Sequence, residues 1–206
     1  MIPSKKTKSF AYIIIPIFAI LIILFAYQFN DNSEKVEEQE PNYLAILETN
    51  DGNITIDLFE NNVPQAVNRF INLSKNGFYN GTIIHRVFPD LAIYGGQYTI
   101  NGTLKEYNKD PIPVETSPEI KHIPGTISYL RTSTDSMTVG CQFLICVDNI
   151  SSLDGKNSAF GIVIEGLNLI KTFSNYPNDE QYNDGSGRLL SPWDVIINKI
   201  TIITKE

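Results

Sequence analysis

The chain has 206 residues, of which 42% are hydrophobic, and it carries a formal net charge of −7 at pH 7. This length suits one folded domain with appended segments and is short for two compact domains. The acidic balance argues against nucleic acid as a partner, because phosphates require a basic protein face. Two histidines are too few and too scattered for a zinc cluster, and we expect neither a metal nor a cofactor.

Residues 1–9 form a basic tail that contains Lys5, Lys6 and Lys8. The next 20 residues, 10–29, carry no charge, and as a helix they would be about 30 Å long, which matches a bilayer core. They predict a transmembrane anchor. A cleaved signal peptide is the competing interpretation, but it needs a shorter apolar run and small residues at a cleavage site. Because basic flanks remain inside, we expect a cytoplasmic tail and an extracytoplasmic C-terminal part.

Residues 30–42 are polar and acidic and show no apolar periodicity, as in a flexible linker. The folded domain is predicted to span residues 43–206. It begins with two runs in which apolar and polar residues alternate, at 43–49 and 53–59, and the sequence NDG lies between them. Alternation predicts strands, and a turn of this composition predicts that the two strands form a hairpin.

A helix is predicted after the hairpin, beginning at Pro64 and ending at Gly77, because Ala66, Phe70 and Leu73 recur at helical spacing. Further strands are predicted at 82–88, 91–98, 126–131, 142–147, 160–165 and 195–203, and a second helix at 167–175. Many short strands with only two helices indicate a β-barrel or a β-sandwich with helical lids.

Several motifs occur in a fixed order along this domain. They are IHRVFP at 84–89 with GG at 95–96, PGTIS at 124–128, GCQFLIC at 140–146, LDGK at 153–156 and FG at 160–161. Together they resemble the cyclophilin peptidyl-prolyl isomerases, and IPVE at 112–115 is similar to the compact bacterial branch of that family. The resemblance covers residues 43–203. It implies a closed eight-stranded antiparallel β-barrel capped by two α-helices.

The resemblance also implies a chemistry. Rotation about an X-Pro bond has a barrier of roughly 18–20 kcal/mol, because the twisted amide loses its resonance. A site that prefers the twisted amide lowers this barrier without a nucleophile, metal or cofactor. Arg86 matches the family's catalytic arginine, and Gln142 matches the glutamine that hydrogen-bonds the substrate backbone. An ordinary surface ion pair and a solvated rim glutamine are the alternative interpretations of these two residues.

A substrate-binding set is implied in the same way: Leu91, Ala92, Tyr94, Leu130, Leu144, Ser152, Leu153 and Asn157. Phenylalanine is common in the family at positions 91 and 144, and tryptophan is frequent at position 152. Methionine, glutamine, alanine and histidine are common at positions 92, 94, 130 and 157. Each lost phenylalanine ring removes a wall that buries on the order of 150–250 Å². These substitutions predict an altered, looser proline pocket, weakened isomerase activity and poor affinity for cyclosporin-type ligands.

The predicted function is therefore isomerisation of X-Pro bonds in exported or unfolded polypeptides. The expected partners are proline-containing segments and, through residues 10–29, a membrane. A non-catalytic module that binds proline peptides or assists assembly is the alternative, and a structural scaffold is a third. His85 and His122 are interpreted as structural interior histidines, and no nucleophile motif such as Gly-x-Ser-x-Gly supports a hydrolase.

Overall fold

The computed structural model describes residues 43–106, 112–131, 138–180, 186–190 and 194–205. The predicted basic tail, transmembrane anchor and acidic linker, at residues 1–42, lie outside the described residues. Within the described ranges, no helix is long and apolar enough to cross a membrane.

The described residues form eight strands and two α-helices. The strands are β1 (Tyr43–Thr49), β2 (Gly52–Leu58), β3 (Thr82–Phe88), β4 (Ala92–Thr99), β5 (Thr126–Arg131), β6 (Thr138–Cys146), β7 (Ala159–Glu165) and β8 (Ile196–Thr204). The helices are α1 (Pro64–Lys75) and α2 (Leu167–Ser174), and a 3-10 turn spans Ser151–Leu153. All neighbouring strands pair antiparallel, in the order β1-β2-β7-β5-β6-β4-β3-β8, and β8 closes on β1. The closed barrel with two helices confirms the predicted architecture.

The barrel interior is filled by the apolar residues that alternate along each strand. In β2, for example, Ile54, Ile56 and Leu58 are buried and the residues between them are partly exposed. Helix α1 covers the core with the residues that repeat at helical spacing, and Phe70 on this helix is fully buried. The strand period of two and the helix period of 3.6 therefore direct their apolar faces into one core.

The paired glycines of β4 mark a close approach between the strand and the core. A side-chain carbon on Gly96 would lie 2.7 Å from the Cys141 carbonyl oxygen and 2.9 Å from the Phe143 ring. The φ of Gly96 is +100°, which residues with a Cβ rarely adopt. Only glycine fits here, and the backbone can then pass directly over Phe143 before it continues to Gln97.

Candidate active site

A row of paired residues crosses the outer face of the barrel. Arg86 on β3 pairs with Tyr94 on β4, Tyr94 pairs with Leu144 on β6, and Leu144 pairs with Ser128 on β5. Directly paired residues of an antiparallel sheet project from the same face. The chain neighbours Val87 and those next to Leu144 belong to the core, so the row itself faces outward.

A cavity of about 600 Å³ opens beside this row. Its described lining residues are Ile83, His85, Arg86, Tyr94, Tyr98, Gly102, Leu130, Arg131, Gln142 and Arg188. The structure thus brings both predicted catalytic residues to one cavity, together with two members of the predicted substrate-binding set, Tyr94 and Leu130. It also settles the direction of Tyr94, which the sequence leaves open.

The guanidinium of Arg86 is held by a residue 100 positions away in the chain. Its Nε and Nη2 donate to the Ser186 hydroxyl oxygen at 3.0 and 2.7 Å. Ser186 is buried, and the next residue, Gly187, exchanges backbone hydrogen bonds of 2.9 and 3.1 Å with Val87. The Arg86 Cζ also lies 4.3 Å from the centre of the Phe88 ring, at cation–π distance. These contacts fix the plane of the guanidinium before any substrate arrives.

The amide of Gln142 is also fixed. Its Nε2 donates a hydrogen bond to Oε1 of Gln97, a buried residue of β4. The backbone of Gln97 is in turn held by Lys105, whose N–H donates to the Gln97 carbonyl at 2.9 Å. Among the described residues, nothing donates to Oε1 of Gln142. This oxygen can therefore accept a backbone N–H from a bound peptide, as the resemblance implies.

Three members of the predicted substrate-binding set, Leu91, Ala92 and Leu144, do not line the cavity. Leu91 is 39% exposed, whereas Ala92 and Leu144 are each 1% exposed. A proline ring could reach Ala92 and Leu144 only if the groups that cover them moved. A substrate-binding role for Leu91, Ala92 and Leu144, like the looser pocket that the smaller residues predict, stays a prediction.

The other three members, Ser152, Leu153 and Asn157, also lie outside the cavity lining. Ser152 is exposed on the 3-10 turn and Leu153 is half-buried. Asn157 is buried, and its Nδ2 donates to the Tyr129 carbonyl at 3.1 Å. That amide has a structural partner, and a substrate-binding role for these three residues stays a prediction.

The two histidines have different surroundings. His122 is 2% exposed, and its ring nitrogens lie 3.0 Å from Asp154 Oδ1 and 3.1 Å from Ser128 Oγ. This confirms the predicted interior structural role. His85 lines the cavity instead, its ring centre is 4.8 Å from that of Tyr98, and its buried Nδ1 has no hydrogen-bond partner within the described ranges. The expected hydrogen-bonded histidine is therefore found at position 122 and not at position 85.

Burial, together with the charge of Arg86, lowers the pKa of His85 from 6.5 to about 4. In the unfolded chain the ring protonates near pH 6.5, so acid favours the unfolded state between pH 6.5 and 4. We expect the free energy of unfolding to fall by about 2–3 kcal/mol more in the wild type than in His85→Gln between pH 7 and pH 4.5. Urea titrations at both pH values measure this difference. An identical pH dependence in the two proteins would contradict a neutral, buried His85.

Sequence reasoning missed several residues that build this site, above all Ser186, Gln97, Arg131 and Arg188. The first two position the predicted catalytic side chains, and the arginines line the cavity. For Ser186 and Arg188 no local sequence pattern gives a signal, because these residues meet the barrel through contacts across many intervening residues.

The comparisons with known proteins agree with this geometry. The family model "Cyclophilin type peptidyl-prolyl cis-trans isomerase/CLD" matches residues 44–201. A peptidyl-prolyl cis-trans isomerase of Helicobacter pylori strain J99 is 37% identical over 135 residues, which are 66% of this chain and 82% of the relative. One from Acinetobacter baylyi is 35% identical over 140 residues, 66% of this chain and 74% of the relative.

A solved structure resembles the fold as well. It is a Cryptosporidium parvum cyclophilin type peptidyl-prolyl cis-trans isomerase in the presence of the dipeptide Ala-Pro. The TM-score is 0.66 at 27% sequence identity, and the match covers 79% of this chain and 99% of that one. With its barrel, its ordered motifs and these matches, the chain belongs to the cyclophilin type peptidyl-prolyl cis-trans isomerase family.

Proposed function

We propose that this protein is a peptidyl-prolyl cis-trans isomerase that acts on X-Pro bonds of exported or unfolded polypeptides. The observation that carries the proposal is the meeting of Arg86 and Gln142 at one outward-facing cavity, in a chain that belongs to this family. The relatives named above are themselves peptidyl-prolyl cis-trans isomerases.

The reaction breaks no covalent bond, so catalysis depends on binding the twisted amide more tightly than the planar one. Twisting frees the lone pair on the proline nitrogen, and a guanidinium beside it can donate a hydrogen bond to that lone pair. Gln142 can accept a backbone N–H and so hold the peptide on one side of the bond while the other side rotates. Because Ser186 already orients Arg86, little reorganisation accompanies the rotation.

Isomerase activity of the full chain, held in detergent micelles, tests the proposal. Exchange NMR on a set of peptides that differ in the residue before proline should show faster cis-trans exchange when the protein is added. We expect a modest rate, since Ala92 and Leu144 are covered and offer little wall to a proline ring. No acceleration of any peptide by folded protein would refute the activity. Peptide binding without turnover would instead support the alternative, a non-catalytic peptide-binding module.

The membrane location is part of the same proposal. The uncharged run at 10–29 supports a single anchor, and the lysines before it support a cytoplasmic N-terminus with the barrel on the extracytoplasmic side. The full chain should stay with membranes after an alkaline carbonate wash, and removal of residues 1–29 should release it. Protease added outside intact cells or spheroplasts should cleave the domain. A mature N-terminus after residue 29, read by mass spectrometry, would show a cleaved signal peptide instead.

A further inference from the structure

The cavity is lined by positively charged side chains, although the chain as a whole is acidic. The chain has four arginines, and three of them, Arg86, Arg131 and Arg188, line the cavity. No aspartate, glutamate or lysine is among its described lining residues. His85 adds no charge at neutral pH, because its pKa is lowered to about 4. Among the described lining residues, positive charge therefore comes from guanidinium groups alone.

Arginine and lysine bind anions differently. A guanidinium is planar, always charged and presents a fork of N–H donors that matches a carboxylate with two parallel hydrogen bonds. The chain contains 12 lysines, and those within the described ranges are absent from the lining of the cavity. This distribution is typical of a site that binds an anion with defined geometry.

Arg188 is held in place by two loops. Its Nη2 donates to the Ile100 carbonyl at 2.7 Å, and its backbone N–H donates to Asp179 Oδ1 at 2.8 Å. Gly102 lies beneath the guanidinium, and a side-chain carbon there would be 3.5 Å from Nη1. The guanidinium is thus positioned on the wall of the cavity before a ligand binds.

We propose that Arg188, with Arg131 beside the same cavity, forms a subsite for the carboxylate of an aspartate or glutamate in the client, near the proline. The inference rests on the proposed function and adds a substrate class to it. Arg86 acts at the proline nitrogen, whereas the two other arginines select the neighbouring residue. Clients with an acidic residue close to the isomerised bond are then preferred.

Paired peptides test this preference. Each pair has one X-Pro bond and carries either glutamate or glutamine at one position, from three residues before the proline to three after it. Acetylated and amidated ends remove the terminal charges. For the best-placed position we expect kcat/KM to be about fivefold higher for the glutamate peptide at low salt, since the pair is partly exposed. The preference should shrink at 0.5 M NaCl, because salt screens exposed charges.

Variants assign the preference to its residue. In Arg188→Gln the ratio of glutamate to glutamine rates should fall to near one, and Arg188→Lys should keep part of it, since charge remains but the fork is lost. Arg131→Gln should reduce the ratio as well. Lys199→Gln is the matched control: it removes the positive charge of an exposed β8 residue outside the cavity lining and should keep the wild-type ratio.

The outcomes separate this inference from the proposed function. Equal rates for glutamate and glutamine at every position, with catalysis intact, overturn the inference and leave the isomerase proposal standing. If no peptide is accelerated, the isomerase proposal fails, and dissociation constants for the same peptides, measured by NMR titration, then decide the inference. A wild-type ratio retained in Arg188→Gln, with the variant shown to be folded, also overturns it.

Discussion

Replacing Arg86 with alanine is expected to lower kcat/KM for isomerisation of X-Pro peptides by about 100-fold, the usual effect of removing one preorganised donor. The reason lies in the geometry of the guanidinium, which two hydrogen bonds to Ser186 and the face of Phe88 hold on the cavity wall. Alanine keeps the strand and removes the donor. Exchange NMR at saturating and subsaturating peptide would separate the effects on kcat and KM.

Two further variants make this prediction specific. Arg86→Lys keeps the positive charge but loses the planar fork, so it should recover only a small part of the lost rate. Arg69→Ala removes the arginine of α1, which is absent from the cavity lining, and should leave kcat/KM near the wild-type value. A folded Arg86→Ala protein with more than half of the wild-type kcat/KM would contradict a catalytic role for this residue.

Most of the fold could be predicted from the sequence, because its local signals agree with its packing. The hairpin of β1 and β2 has the alternation and the Asn-Asp-Gly turn that predict it, and the two strands pair antiparallel with Thr49 opposite Gly52. Alternation alone could not decide between a barrel and a sandwich, since both bury one face of each strand. Closure depends on the pairing of β8 with β1, which lie at opposite ends of the domain.

The clearest difference in strand boundaries is at β6, which begins at Thr138 and not at the predicted residue 142. Gly140 has a φ of +77°, and a glycine in this conformation suggests a turn when only the sequence is known. In the barrel it is a local irregularity within the strand, next to the register shift between Tyr129 and Arg131 of β5. Gln142 and its neighbours therefore belong to one long strand.

The site could be predicted only in part. Family motifs identified Arg86 and Gln142, which the structure places at one cavity, whereas Ala92 and Leu144, from the same resemblance, are buried outside its lining. Which side chains line a cavity depends on contacts between distant parts of the chain. Such contacts leave no periodic pattern in the sequence, as with the hydrogen bond between Arg86 and Ser186, which are 100 positions apart. Motif spacing therefore predicts which two residues meet at the cavity better than which residues form its walls.

Truncation of Phe70 is expected to have the second large effect, on the free energy of unfolding. This side chain of α1 is fully buried, and its ring centre lies 5.0 Å from that of Phe160, 5.4 Å from Tyr79 and 6.4 Å from Phe143. Phe70→Ala removes contacts with three rings and leaves a cavity where α1 meets the barrel. We expect the free energy of unfolding to fall by about 3–5 kcal/mol, measured by urea titration followed by near-ultraviolet circular dichroism.

The comparison with Phe78 shows why burial, and not aromaticity alone, sets this value. Phe78 packs its ring against Tyr79 with centres 5.4 Å apart, but it is only partly buried. Part of its apolar surface already contacts water, so Phe78→Ala gives up less transfer free energy and leaves a smaller cavity. Its loss of stability should be clearly smaller than that of Phe70→Ala. Equal losses would mean that α1 packs loosely and that the barrel strands alone stabilise the core.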